Sequence, residues 1–212
     1  MEPTDHNRRA WDEIHRQRNL ALAGHRGLPP QVRHALADLK GKRVLHLQCG
    51  TGESTAELAE LGAVVTGVDS SGQALEAARE RWPSILWVQA DVQALPAELR
   101  RGRFDLVYAG PGSLAGIADL AAWTHELSTA LRPTGDLLLF EEHPVALCVD
   151  GLMHWRENYF AEGAQRLGQI LNAVTNSGLN VRALEEYPAR SDGFRRHDAR
   201  IPGTFLLYAQ KP

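Results

Sequence analysis

A glycine-rich turn between an apolar run and a helical stretch is the first feature of this sequence that could bind a ligand. The segment 44–53 reads VLHLQCGTGE, so that Gly50 and Gly52 directly follow a run typical of a buried strand. A strand that enters such a turn and then a helix exposes backbone N–H groups at the helix N-terminus, where polar ligands bind. A tight strand-to-helix connection would need the same glycines, so the turn alone leaves both interpretations open.

Two acidic residues follow the next two apolar runs. Asp69 ends the run VTGVD, and Asp91 comes after a third run in the segment QADV. A carboxylate at the first place can accept hydrogen bonds from both hydroxyls of a ribose, and one at the second lies where an adenine would sit. Either acid could instead cap the helix or turn that follows it, and the two roles are compatible.

A histidine follows the last apolar run of this series. His143 lies in the segment EEHP, immediately after the run LLLF, and therefore at the same edge of a parallel sheet as the glycine turn. An imidazole there could act as a general base, because its ordinary pKa lies near neutrality. It could equally hydrogen-bond within a proline-containing turn. His154 and Tyr159, in the next segment, are further candidates for the catalytic role.

The elements that must position these residues alternate between apolar runs and amphipathic stretches. Runs typical of buried strands lie at 43–47, 63–68, 85–88, 104–108 and 136–140. Stretches typical of helices lie at 53–61, 71–82, 117–131 and 164–176. Two final strands, at 179–186 and 204–210, have no helix between them and pair antiparallel if they are neighbours. The predicted fold class is α/β, a Rossmann-like doubly wound seven-stranded sheet, mostly parallel with a C-terminal antiparallel pair.

Composition and charge restrict the class of partner. The 212 residues carry 23 basic and 26 acidic side chains with no basic run, which argues against a nucleic-acid partner. The N-terminus lacks the apolar core of a signal peptide, and no run approaches the roughly 20 apolar residues that span a bilayer. We therefore expect a cytoplasmic protein without a membrane partner. Cys49 and Cys148 are too few for a disulfide framework or a zinc site, so we expect no metal.

The ordered motifs resemble those of class I S-adenosylmethionine-dependent methyltransferases over about residues 40–142. The segments that carry the resemblance read LHLQCGTGE, VTGVDSS, QADVQAL, FDLVYAG and LRPTGDLLL. The segments NRRAWDE, which contains Trp11, and EEHP resemble a bacterial branch that methylates small molecules. The resemblance implies S-adenosylmethionine as cofactor, a small-molecule acceptor and a methyltransferase domain at 41–212. Within that domain, a short acceptor-side segment would lie at about 143–163.

Family motifs also imply a role for individual residues. The implied cofactor-binding residues are Trp11, Gln48, Gly50, Gly52, Asp69, Ser70, Asp91, Val92, Ala109 and Gly110. His143 would be the catalytic residue if the acceptor is a hydroxyl. The usual family pattern has an acid where this chain has His46 and a glycine where it has Gln48.

The first 40 residues have a different pattern from the rest. A sparse apolar stripe through the charged segment 5–23 predicts a surface helix, and Pro29 and Pro30 suit the start of a second, short one. Gly24 and Gly27 between them supply a flexible joint. We expect 1–40 to form a helical lid in which the Trp11 ring closes over the cofactor, although the ring could also serve only as an anchor for its helix.

Two other functions fit part of the pattern. A non-catalytic sensor or partner subunit could bind the same cofactor on the same fold. An NAD-dependent oxidoreductase also uses a glycine-rich turn and a strand-end acid, but its fingerprint has a third glycine where this chain has Thr55. The sequence does not decide the oligomeric state, and a homodimer is one of the options.

Overall fold

The computed structural model describes residues 27–36, 38–150, 153–188 and 199–212. The strands are β1 (Arg43–Leu47), β2 (Val64–Asp69), β3 (Leu86–Gln89), β4 (Phe104–Ala109), β5 (Leu131–Glu142), β6 (Asn180–Pro188) and β7 (Pro202–Gln210). The helices are α1 (Pro30–Ala35), α2 (Glu53–Glu60), α3 (Gly72–Arg81), α4 (Leu120–Ala130) and α5 (Leu167–Asn176), with a 3-10 turn at Ala146–Cys148. The helix predicted at 5–23 and its Trp11 lie outside the described residues.

Within the described residues, seven strands form one sheet in the order β3-β2-β1-β4-β5-β7-β6. The strands β1 to β5 pair in parallel, and β7 is antiparallel to both β5 and β6. This arrangement confirms the predicted fold class. The direction of strand succession reverses between β1 and β4, so the carboxyl ends of these two strands border the crevice in which doubly wound folds bind their ligands.

Successive residues of the central strands pack on opposite faces of the sheet. On one face, Leu45 and Leu47 of β1 lie in a core cluster with Trp123 of α4 and Ile170 of α5. On the other face, Val44 lies in a cluster whose helical members are Val32 of α1 and Leu58 of α2. Burial on both faces explains why the central strands are apolar throughout rather than alternating.

Several element boundaries differ from the sequence-based expectation, and hydrogen bonds explain two of them. Helix α4 begins after Asp119, whose Oδ1 accepts the backbone N–H groups of Ala121 and Ala122 at 2.9 and 3.0 Å, whereas the apolar pattern extends back to 117. Strand β5 begins at Leu131 rather than at 136, because Leu131 already pairs with Phe104 before a register shift. The cap and the cross-strand pairing override the pattern of hydrophobicity at both places.

The segment after β5 exposes its largest aromatic side chains. Trp155 is 62% exposed and Phe160 is 71% exposed, although Ala146 and Cys148 nearby are buried. The backbone of Trp155 forms an isolated antiparallel bridge with Val149. The structure therefore exposes two aromatic side chains at the position of the expected acceptor-side segment.

Candidate active site

The glycine turn adopts a left-handed backbone at three positions. Gln48, Gly50 and Gly52 have φ values of 50°, 56° and 90°. Glycine adopts this region freely, whereas a residue with a side chain is held there at a cost of order 1–3 kcal/mol. Gly52 is also required by packing, because a Cβ there would lie 2.6 Å from Cη2 of Trp87. The usual glycine at the position of Gln48 is thus explained by backbone conformation.

Asp69 connects the glycine turn to the start of α3. This buried residue ends β2, and its Oδ2 accepts the backbone N–H of Gly50 at 2.7 Å. Its Oδ1 accepts the backbone N–H of Ser71 at 2.9 Å. Ser71 rather than Ser70 caps the helix, since its side chain accepts the N–H of Ala74. A carboxylate oxygen has two acceptor sites, so these contacts are compatible with a ribose bound to the same group.

Asp91 and Val92 form the turn after β3. Oδ1 of Asp91 accepts the backbone N–H of Gln93 at 2.9 Å. The backbone oxygen of Asp91 accepts the backbone N–H of Ala94 at 3.1 Å. Val92 is buried in the main core cluster. The acid therefore has the turn-stabilising role that the sequence left open, in a half-buried position at the same sheet edge as Asp69.

The end of β4 places a buried hydroxyl beneath Gly110. Ala109 is fully buried and pairs in register with Leu47 of β1. The preceding residue, Tyr108, is also fully buried, and a Cβ at Gly110 would lie 3.0 Å from its hydroxyl oxygen. That hydroxyl has no hydrogen-bond partner among the described residues. Burial raises the pKa of Tyr108 well above its ordinary value, so the group is a proton donor at neutral pH.

His46 lies where the family usually has an acid. Its ring stacks on that of Tyr108 with centroids 4.8 Å apart, and its Nδ1 lies 2.7 Å from Oγ1 of Thr55. Burial lowers the pKa of His46 to about 3, and the imidazole is therefore neutral at physiological pH. The chain replaces a charged group with a neutral hydrogen-bonding ring at this position.

Both ring nitrogens of His143 are close to protein groups. Its Nδ1 accepts the backbone N–H of Val145 at 3.1 Å, and its Nε2 lies 2.9 Å from Oε1 of Glu186. Phe205 contacts the ring edge to face, at 6.2 Å between centroids. Burial lowers the pKa of His143, and the nearby Glu186 partly opposes this effect. The contacts place the histidine in the turn after β5 and link that turn to β6.

Three side chains fix the loop after β4, and two of them, Gln93 and Glu141, were not assigned to the site by sequence reasoning. Nε2 of Gln48 donates to the backbone oxygen of Ser113 at 2.5 Å. Oε1 of Gln93 accepts the N–H groups of residues 118 and 119, and the carboxylate of Glu141 accepts those of residues 112 and 114. Gln48 was expected to contact the cofactor, not this loop. The available sequence signal for Glu141 was an acid directly after four apolar strand residues.

The comparisons with known proteins agree with this geometry. Residues 44–135 match the family model described as a methyltransferase domain. A trans-aconitate 2-methyltransferase from an Azoarcus species is 40% identical over 99 residues, which cover 45% of this chain and 37% of that protein. A demethylmenaquinone methyltransferase from Beutenbergia cavernae is 37% identical over 108 residues, covering 50% and 43%. The chain thus spans about half the length, or less, of the curated relatives that it matches.

A solved structure extends the similarity to most of the chain. The S-adenosylmethionine-dependent methyltransferase from Mesorhizobium loti superposes with a TM-score of 0.74 and 26% identity, covering 86% of this chain and 96% of that one. Together with the sheet order and the glycine turn, these similarities indicate a class I S-adenosylmethionine-dependent methyltransferase domain. The cofactor of this family is S-adenosylmethionine.

The described residues contain neither a candidate metal centre nor a candidate membrane span. No group of three or more histidine, cysteine or acidic side chains there is arranged to hold a metal ion. Among the helices of the same residues, none is long and apolar enough to cross a membrane.

Proposed function

We propose that this protein transfers a methyl group from S-adenosylmethionine to a small-molecule acceptor. The observation that carries the proposal is the hydrogen bond between Asp69 and Gly50, which fixes the glycine turn beside the β1/β4 crevice. The names of the two curated relatives point to small acceptors, namely trans-aconitate and demethylmenaquinone.

Unpartnered polar atoms support a ligand at this place. Oε1 of Gln48 and the hydroxyl of Tyr108 are buried, and neither has a hydrogen-bond partner among the described residues. Such atoms are rare in folded proteins and call for an explanation, of which a missing ligand is one. One is an acceptor and the other is a donor. Tyr108 lies in β4, and Gln48 directly follows the neighbouring strand β1. The methionine part of the cofactor would lie at this place.

The proposed roles of the site residues follow from their positions. When bound, the cofactor supplies a methyl group already activated on a sulfonium, so the chain has mainly to orient reactants and exclude water. Asp69 would accept from the ribose hydroxyls, and Asp91 with Val92 would contact the adenine. The remaining proposed contacts are Gln48, Gly50, Gly52 and Ser70 around the turn, Ala109 and Gly110 beside the methyl, and Trp11 from the 1–40 lid.

The role of His143 depends on the acceptor. As a general base it would have to release either the N–H of Val145 from Nδ1 or Glu186 from Nε2. Its contacts favour the turn-stabilising role that the sequence left open, and the catalytic assignment stays a prediction. A hydroxyl or carbon acceptor needs a base to take its proton, whereas a carboxylate or a neutral amine has a free lone pair and can react once positioned.

The experiment that tests the proposal has two steps. Calorimetry should show that the protein binds S-adenosylhomocysteine at least tenfold more tightly than NAD, and the reverse order would assign it to the oxidoreductases. Incubation with methyl-labelled cofactor and a metabolite extract should then place label in a small extractable compound. Tight cofactor binding without transfer from any extract would favour the sensor, and label confined to macromolecules would overturn the acceptor class.

The cytoplasmic location and the absence of a nucleic-acid partner stay predictions, and sizing by light scattering would test for a homodimer.

A further inference from the structure

A buried carboxylate, Glu141, joins the end of β5 to the turn that follows β4. This turn, residues 110–114, begins directly after Ala109 and is the segment that would face the transferred methyl group. Glu141 is 5% exposed and lies two residues beyond Leu139, which pairs in register with Ala109. The side chain therefore extends from the neighbouring strand at the level of the turn.

The carboxylate accepts hydrogen bonds from four donors. Oε1 accepts the backbone N–H groups of Gly112 at 2.8 Å and of Glu142 at 2.7 Å. Oε2 accepts the backbone N–H of Leu114 at 3.0 Å and the hydroxyl of Ser113 at 3.3 Å. The turn's own hydrogen bond uses the N–H of Ser113, which donates to the oxygen of Gly110. Glu141 thus takes the N–H groups of Gly112 and Leu114, on either side of the internally bonded Ser113.

The same turn is held from the opposite side by the glycine turn. Nε2 of Gln48 donates to the backbone oxygen of Ser113, so the donors of the 110–114 turn face β5 while this carbonyl faces β1. Gln48 makes this contact from a left-handed backbone that favours glycine. A costly conformation persists where the surrounding contacts over-determine it. The Gln48 contact joins the two turns that border the crevice, and Glu141 holds the second of these turns against β5.

We propose that Glu141 is a positioning residue that holds the 110–114 turn as a pre-formed wall of the methyl-transfer slot. This inference rests on the proposed function, because it concerns the same cofactor site. Methyl transfer requires the reacting atoms to be aligned closely, and a displacement of about 1 Å can cost about 100-fold in rate. A side chain that locks the wall before the cofactor arrives also lowers the ordering cost of binding. Burial raises the pKa of Glu141, and the N–H groups that it accepts oppose this effect.

Glu141→Gln is the variant that tests this role, and Glu142→Gln is its matched control. The amide keeps the size of the side chain but presents a donor where the carboxylate accepted, so at least one of the four contacts is lost. Glu142 is the next residue, and its side chain is exposed. We expect the dissociation constant for S-adenosylhomocysteine to rise at least fivefold in Glu141→Gln and less than twofold in Glu142→Gln. Glu141→Asp, which keeps the charge, should recover part of the affinity.

Amide hydrogen exchange in the free protein gives a second measurement. Exchange at residues 112 and 114 should be at least tenfold faster in Glu141→Gln, with exchange in β1 and β4 unchanged. Affinity and exchange equal to those of the unaltered protein would overturn the proposal, as would a uniform loss of protection across the sheet. If Glu141→Gln does not fold, Glu141→Asp is compared in the same way. Failure of the unaltered protein to bind S-adenosylhomocysteine would overturn the proposed function, and the exchange result would still decide whether Glu141 holds the turn.

Discussion

Oδ2 of Asp69 accepts the backbone N–H of Gly50 across 2.7 Å. The acid that the sequence suggested as a ribose ligand is therefore also the residue that holds the glycine turn in its left-handed shape. The same carboxylate orders the glycine turn and offers its remaining acceptor sites to a ligand. Loss of Asp69 should affect binding in two ways, through a lost contact and through a loosened turn.

Asp69→Ala should weaken binding of S-adenosylhomocysteine by roughly 2 kcal/mol or more, about 30-fold, because a charge-assisted acceptor is removed. Calorimetry measures the effect. Asp119→Ala is the control, since Asp119 likewise accepts two backbone N–H groups, but as the cap of α4. The control should lose about 1 kcal/mol of stability with its affinity unchanged. Equal affinities of the Asp69 variant and the unaltered protein would reject the ribose assignment.

Gly52→Ala should destabilise the fold more than Gly178→Ala does. Both glycines have similar positive φ values, 90° and 86°, but only Gly52 has Trp87 within contact, whereas nothing lies within 4 Å of a Cβ at Gly178. The shared backbone strain is about 1–2 kcal/mol, and overpacking against the indole adds roughly 1–3 kcal/mol. Urea unfolding measures the free energy of unfolding of both alanine variants. In a Trp87→Leu background, the further loss of stability caused by Gly52→Ala should be smaller than in the unaltered protein, and equal losses in Gly52→Ala and Gly178→Ala would contradict the packing argument.

His46 should make stability depend on pH in the acid range. Its pKa is lowered from about 6.5 in the unfolded chain to about 3 in the fold, so the stabilising contribution is complete above pH 6.5 and is lost progressively as the pH falls towards 3. The slope contributed by this one group reaches about 1.4 kcal/mol per pH unit. In His46→Phe, the unfolding free energy should fall less steeply between pH 6.5 and 4.5. His125→Phe, at an exposed site on α4, should match the unaltered protein, and parallel curves for all three would refute the assignment.

His143→Asn separates the turn role from the catalytic role. The asparagine oxygen can take over the N–H of Val145 that Nδ1 accepts, but the side chain no longer titrates. Because both nitrogens already have protein contacts, we expect transfer of labelled methyl to stay within about threefold of the unaltered rate at pH 7. A loss of about 100-fold or more with unchanged cofactor affinity would instead establish His143 as the general base.

The sequence predicted the fold because its strands are buried on both faces and its turns carry glycine. The order of apolar runs, the antiparallel final pair and the positions of Gly50, Asp69 and Ala109 at one sheet edge all followed from pattern and family resemblance. The cap at Asp119 and the early start of β5 did not, because a side-chain hydrogen bond and a cross-strand partner decide those boundaries.

The role of Glu141 lay beyond sequence reasoning for a related reason. Its hydrogen-bond partners lie 27 to 29 positions earlier in the chain, apart from its immediate neighbour Glu142. No local pattern pairs an acid with backbone groups at that distance. The same holds for Gln48, which reaches Ser113 across 65 positions. Such contacts become visible when parallel strands bring their carboxyl ends together.

The position of β7 between β5 and β6 determines which partly unfolded state of the protein is most prone to aggregate. Gln210 of β7 pairs with Asp136 of β5 across 74 positions, whereas β6 and β7 are close in sequence. Loop-closure entropy makes the distant pairing slow to form, so the hairpin of β6 and β7 should be the last part to join the sheet. Until it does, β5 presents an apolar strand with unpaired backbone groups, which is a template for intermolecular pairing. Conditions that detach this hairpin, more than those that loosen the helices, should therefore make the protein aggregate.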